Sequence, residues 1–295
     1  MKFSAKTALM LGILILPAGW GRWISASHVF DPRHNPTKAI YFDELVYISL
    51  GQNLLNRGDY SLRMQYPDMK KFYSKIPRYV NDPLFKHPPL VPVMVGLSMK
   101  AVSYNIRGAF LPGVLLGTAM LPLIFLLARN LFSDRRVAWL AVILLAVSPT
   151  HWICSARIIL EAPLAFFILA GVTAQMGSLR CARAGWLSAA AWALAWWTKY
   201  TAIPIWALFQ VLMLLAYPRL VRSRPYWFSQ AAILALYLPW IFWRISVDGA
   251  GFFLFWRSST EEWLAAAKLL CRPFFWIGAI VSALGVIWLA GRRSR

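Results

Sequence analysis

Residues 108–128 read GAFLPGVLLGTAMLPLIFLLA, a run without one charged side chain. As a helix rising 1.5 Å per residue it reaches about 30 Å, the thickness of a bilayer's hydrocarbon core. Basic residues mark its ends: Arg107 precedes it, and Arg129, Arg135 and Arg136 follow. Working outward, runs of the same kind lie near 7–26, 137–154, 162–179, 185–199, 201–217, 226–243 and 273–291. The expected fold is an all-α, polytopic integral membrane protein of about eight transmembrane helices. Composition points the same way, with 59% apolar and only 14% charged residues. A water-soluble domain carries about 25% charge to solvate its surface.

The net charge of +20 would suggest nucleic acid in a soluble chain. Here the cations cluster between apolar runs, as expected beside lipid headgroups, so no nucleic-acid partner is expected. Arg129/Arg135/Arg136, Arg180/Arg183, Arg219/Arg222/Arg224 and Arg292/Arg293/Arg295 fall in alternate connections, with Asp134 the only acid among them. The other acids fall in 27–107, 155–161 and 244–272. The positive-inside rule then places both termini and the basic loops in the cytoplasm, and the acidic loops outside. It also decides the apolar stretch 88–105. Were that stretch a span, the basic loops would face outward, so it reads as an interfacial or re-entrant helix. Residues 1–27 also fit a cleavable signal peptide, with Ser25-Ala26-Ser27 as the cleavage-like triplet; the reading adopted is a retained first span. Cys154, Cys181 and Cys271 show no metal spacing and no even-numbered framework, and read as free thiols.

The ionisable residues at the acidic face are the candidates for chemistry, because such groups are costly near lipid. Asp43 and Glu44 open an amphipathic helix over 44–57 with Leu45, Ile48 and Leu55 on one stripe, Asp43 as N-cap and Gly58 as stop. Lys86 and His87 precede Pro88-Pro89, while His151, Arg157 and Glu161 lie between the third and fourth spans. Lys199 sits in the turn after the fifth, and Arg244 and Arg257 follow the seventh. Bland roles stand beside each. Asp43 serves as a cap and Glu44 complements the helix dipole. Lys86 snorkels, Arg157 pairs with Glu161 four residues on, and Lys199 anchors topology. His151 reads as a helix-end residue. The Trp192/Trp196/Trp197 and Trp240/Trp243 groups read as lipid-facing belts, and Gly12, Gly113, Gly117 and Gly171 as close-packing sites. No His/Asp set has metal spacing; a divalent ion is left open, and no cofactor is predicted.

The string Phe42-Asp43-Glu44-Leu45-Val46-Tyr47-Ile48, continuing to Asn53-Leu54-Leu55-Asn56-Arg57-Gly58-Asp59-Tyr60, resembles the Asp-Glu motif of GT-C glycosyltransferases. Its branch looks like the dolichyl-phosphate-mannose protein mannosyltransferase and lipid A aminoarabinose transferase families. Further matches follow in the same order. Lys86-His87-Pro88-Pro89-Leu90 is similar to the family's His-Pro-Pro-Leu segment, and Arg107-Gly108-Ala109-Phe110 to the entry of the next span. Ser148-Pro149-Thr150-His151, Ser155-Ala156-Arg157 and Glu161-Ala162-Pro163 resemble the second acidic loop, and Thr198-Lys199-Tyr200-Thr201 the closing turn. Position 161 is Glu where many members carry Asp. On this reading 1–217 form the GT-C-like module, with the first external loop at 27–107, and 218–295 hold C-terminal helices of uncertain match.

The resemblance implies transfer of a sugar from a polyprenyl-phosphate-linked donor to a protein, lipid or polysaccharide acceptor at the external face, with inversion. Asp43 would be the general base and Glu44 its catalytic neighbour. Lys86, His87, Arg157, Lys199 and Arg244 would bind the donor phosphate, and Glu161 the acceptor or sugar. A bacterial inner membrane is the expected location. Two other classes stay open: a lipid or solute transporter, and a non-catalytic lipid-binding subunit of an envelope assembly.

Overall fold

The helix Ile106–Phe132 (α4) is the element against which most of the others lean. In the computed structural model, residues 5–31, 42–62, 83–85 and 87–248 are described. The run 273–291, Lys86 and Arg257 lie outside the described residues. Helices in chain order are Ala5–Val29 (α1), Phe42–Arg57 (α2), Leu90–Ala101 (α3), α4, Arg135–Val147 (α5), Pro149–Ser155 (α6), Glu161–Ser178 (α7), Arg183–Thr198 (α8), Ala202–Ala216 (α9) and Arg224–Asp248 (α10). A 3-10 turn, Pro218–Arg222, joins the last two. Among the described residues there is no strand. The fold is the all-α membrane architecture expected.

Each apolar run predicted within the described residues is helical, but not all are equal. By length and hydropathy, Thr7–Val29, Ile106–Phe132 and Arg224–Val247 can each cross a membrane, and α5 with α6 adds a fourth crossing if the bent pair is one span. The helices α7, α8 and α9 have 18, 16 and 15 residues. The single helix expected over 137–154 is corrected to two, meeting at 61°. The cause is local. Pro149 has no N–H for a continuing ladder, and the Ser148 side chain accepts from the His151 N–H to start α6 afresh. The helix predicted to lie in the interface is α3. Its 12 residues reach about 18 Å, well short of a bilayer core.

Packing follows from small residues and a shared core. α1 lies on α4 through Leu11, Ala18, Leu121 and Phe125. α5 turns back along α4 after Ser133 adopts a left-handed conformation and Asp134 caps the next helix. Gly113 and Gly117 let Ser155 and the Arg157 carbonyl approach α4, and Gly171 takes the Trp192 ring of α8. Among the described residues a Cβ at Gly12 would meet nothing within 4 Å, so its predicted packing role finds no partner there. The closest approach is between α2 and α3. A Cβ at Gly51 would collide with the Pro92 carbonyl, and one at Gly96 would stand 2.7 Å from the Gly51 carbonyl.

Two further corrections concern which faces are covered. The buried residues of α2 are Glu44, Val46, Tyr47, Ser49, Leu50, Gly51 and Asn53, while Leu45, Ile48 and Leu55 are only partly covered. Because the helix begins at Phe42, Asp43 lies in its first turn instead of capping it. Of the tryptophans read as a belt, Trp192, Trp196 and Trp240 are core instead, 0%, 3% and 1% exposed, while Trp197 and Trp243 are half-buried. They form edge-to-face pairs between α8, α9 and α10, as Trp196 does with Trp206 and Tyr237. Geometry of that kind adds about 0.5–1.5 kcal/mol per pair beyond area burial.

Candidate active site

The Asp-Glu pair at the start of α2 divides into an exposed residue and a buried one. Consecutive helical residues point about 100° apart, so Asp43 faces outward while Glu44 turns into the protein with no exposed surface. There Arg157 meets it with both fork nitrogens, Nε at 2.8 Å and Nη2 at 2.6 Å. The Ile158 N–H donates a third bond to Oε1 at 3.2 Å. A planar guanidinium and a carboxylate matched in this way form one of the stronger charge-assisted contacts available to a protein. Arg157 also lies over the Phe30 ring at 5.7 Å, and Phe30 stacks on Phe110 of α4. The pairing of Arg157 with Glu161 considered from sequence does not form.

Glu161, at the first turn of α7, instead receives Lys199 Nζ at 3.0 Å from the turn after α8. Both side chains remain partly exposed, at 49% and 30%. Tyr47 lies one helical turn along α2 from Asp43. Burial pushes its phenol well above the ordinary tyrosine range, and the negative charges of Asp43 and Glu161 push the same way. The negative charges of Asp43, from α2, and Glu161, from α7, thus both reach the same phenol. The His87 ring meets Tyr47 edge-on at 5.7 Å.

A second arm reaches the same end of the bundle through aromatics. Tyr60, 1% exposed, donates from its hydroxyl to the His87 carbonyl at 3.0 Å. Tyr200 donates to the Phe85 carbonyl at 2.9 Å, and accepts from Trp240 Nε1 and Arg244 Nη1, both at 3.1 Å. Arg244, 2% exposed, lies over the Phe85 and Tyr200 rings. Trp240 and Trp243 close around Tyr60 and Phe85.

Of the residues singled out from sequence, Asp43, Glu44, His87, Arg157, Glu161, Lys199 and Arg244 thus join one acid-and-cation cluster. It is built from the first turns of α2 and α7, the segment before α3, the connection between α6 and α7, the turn after α8 and the end of α10. His151 is not in it. Its Nδ1 meets Arg22 Nη2 at 2.9 Å inside the protein, where Arg22 also bonds the Ala18 carbonyl and lies over Trp152. Arg22, with no exposed surface, was missed because a lone cation inside an apolar run reads as part of the span. Tyr47, Tyr60 and Tyr200 were missed as site residues too. Tyr47 had a usable signal, its position one helical turn after Asp43. Among the described residues no three His, Cys, Asp or Glu side chains gather as a metal site would require.

A helical membrane protein with paired carboxylates and cations at one end of its helices has the layout of a glycosyltransferase of GT-C type. The sequence profile of the family described as dolichyl-phosphate-mannose-protein mannosyltransferase matches residues 86–243, more than half of the chain, and the chain belongs to that family. The matched segment starts after the Asp43-Glu44 pair and takes in α3 to α9 and most of α10. No curated protein and no solved structure matches the chain.

Proposed function

We propose that this membrane glycosyltransferase moves a sugar from a polyprenyl-phosphate donor to an acceptor hydroxyl or amine at the external face, with inversion. The observation that carries the reading is the split of the Asp-Glu pair: Glu44 is held by Arg157 and Ile158, while Asp43 is exposed one helical turn from Tyr47, whose phenol also feels the charge of Glu161, the partner of Lys199. Asp43 is the general base. It accepts the acceptor's proton as the nucleophile bonds to the anomeric carbon, and the sugar–phosphate bond breaks to release polyprenyl phosphate. Glu161 orients the acceptor or sugar. Lys199 and His87, both within reach of solvent, together with Lys86, neutralise the phosphate as charge builds on it. Arg157 and Arg244 stand behind them, enclosed by Glu44 and by the Tyr200–Phe85 contacts, and supply positive potential. Glu44 acts as a positioning residue for Arg157.

The test is turnover in proteoliposomes with a panel of radiolabelled polyprenyl-phosphate sugars and crude envelope acceptors. Asp43→Asn is expected to lower transfer by about 10²–10⁴-fold, the usual worth of a general base, with normal membrane insertion. Transfer at the wild-type rate in that variant sinks the base assignment.

A further inference from the structure

At the end of the bundle opposite Asp43, a cleft of about 170 Å³ opens between α7, α8, the 3-10 turn and α10. Ser178, Gly185, Leu220, Ser223, Tyr226 and Ser229 line it. At roughly 30 Å³ per water it holds about five waters' worth of volume, the size of a small polar group and far below that of a whole lipid.

The chemistry of the walls is specific. Ser178 donates its hydroxyl proton to the Gln175 carbonyl at 2.7 Å, Ser229 to the Tyr226 carbonyl at 2.6 Å, and Tyr226 to Gln210 Oε1 at 3.0 Å. Gln210 is locked in turn by a reciprocal amide pair with Gln175. With their protons committed to the protein, the Ser178 and Ser229 oxygens are left as acceptors; Ser229 Oγ already takes one donor, Gln230 Nε2 at 3.1 Å, and the Tyr226 hydroxyl is turned to buried Gln210. A bare phosphate, itself all acceptors, finds little there. A ligand carrying hydroxyl donors fits.

The rim has the opposite character. Arg180 and Arg183 flank the α7–α8 connection, and Arg219, Arg222 and Arg224 flank the 3-10 turn; all are exposed. Among the described residues none of the five is paired with a carboxylate. Next in sequence to the cleft residues, Trp186, Leu187, Trp227 and Phe228 are exposed apolar side chains. Acceptors inside, cations at the mouth and apolar flanks together describe an anionic phospholipid. We infer that the cleft takes the hydroxyl-bearing headgroup of an anionic phosphodiester lipid such as phosphatidylglycerol, with its phosphate on the arginine rim. An ethanolamine or choline headgroup brings a cation to that rim and is disfavoured.

Gly185 provides the probe. A Cβ there meets Ser229 and Ser178 at 3.7 and 3.8 Å, ordinary contact, so Gly185→Ala is accommodated and Gly185→Leu fills the cleft. The experiment is native mass spectrometry of the full chain released from mixed micelles containing phosphatidylglycerol, phosphatidic acid, phosphatidylethanolamine and phosphatidylcholine. Wild type is expected to retain phosphatidylglycerol about tenfold over phosphatidylcholine, and above phosphatidic acid. Gly185→Leu removes the preference over phosphatidic acid, and the Arg222→Gln/Arg224→Gln pair, which leaves the helices intact, removes the preference for anionic lipid. Equal retention of phosphatidylglycerol and phosphatidylcholine by the wild type overturns the inference, as does an unchanged preference in the arginine pair. Thermal stabilisation by inorganic phosphate equal to that by phosphatidylglycerol overturns the lipid assignment. None of these variants touches the acid-bearing end, so transferase activity reports on the two proposals separately.

Discussion

Glu44 and Lys199 each sit in an ion pair, and the same substitution logic gives opposite outcomes for them. Glu44 is enclosed, and Glu44→Gln takes the bidentate carboxylate away from the Arg157 guanidinium in a site 12% exposed. Removing one partner of a buried pair costs about 3–5 kcal/mol, so a marked fall in thermal midpoint in detergent is expected. Arg157→Met placed on top of Glu44→Gln is expected to recover part of that loss, which a double-variant cycle measures. Lys199 and Glu161 are partly solvated, and such a pair is worth less than about 1 kcal/mol. Lys199→Met is therefore expected to leave the midpoint nearly unchanged while transfer falls by about 10²-fold, the scale for losing one group that stabilises developing charge. A large drop in midpoint assigns Lys199 to structure instead. Sequence made these residues candidates because ionisable groups near lipid are few. It could not say which acid meets which cation, since the Glu44–Arg157 contact joins positions 113 apart. The local pairing of Arg157 with Glu161 was the only one visible along the chain.

At the scale of elements, the crossing of α2 and α3 decides where Asp43 stands. Gly51 and Gly96 bring the two backbones together with no space for a methyl group. Gly96→Val is expected to cost about 1–3 kcal/mol through overpacking and to shift α2, lowering transfer together with thermal midpoint. Gly12→Val, in open space on α1, is the matched control and should alter neither. Helix positions were legible because uninterrupted apolar length is a strong signal, and α4 extends the run read at 108–128 by only a few residues at each end. The bend at Ser148–Pro149 was less so, because the apolar run continues through it. The buried tryptophans were misread because apolar composition is the same for a side chain facing lipid and one facing another helix. The face of α2 was misread for a related reason. It is enclosed from more than one direction, and its innermost residue is the charged Glu44.

For the whole molecule, α7 and α8 connect two ends of contrasting charge. Glu161 and Lys199 lie at one end, with Ser178, Arg180 and Arg183 at the other. Cys181 is exposed at the basic end. In a background lacking the other cysteines, a membrane-impermeant thiol reagent is expected to label Cys181 from the cytoplasmic side and Asp43→Cys only from outside. Labelling of both from one side would overturn the two-ended topology. The charge bias of the loops was readable from sequence, whereas the cleft was not, since its hydroxyls come from two segments about 45 residues apart, Ser178 and Ser223 to Ser229. The buried pair also carries a consequence for biosynthesis. At about 5–20 residues per second, Arg157 leaves the ribosome some 6–20 s after Glu44. Until then the glutamate must wait hydrated in the first loop. Completion of the acid-bearing end is thus a late step of assembly, withheld from any nascent chain that has not yet delivered α7 and α8.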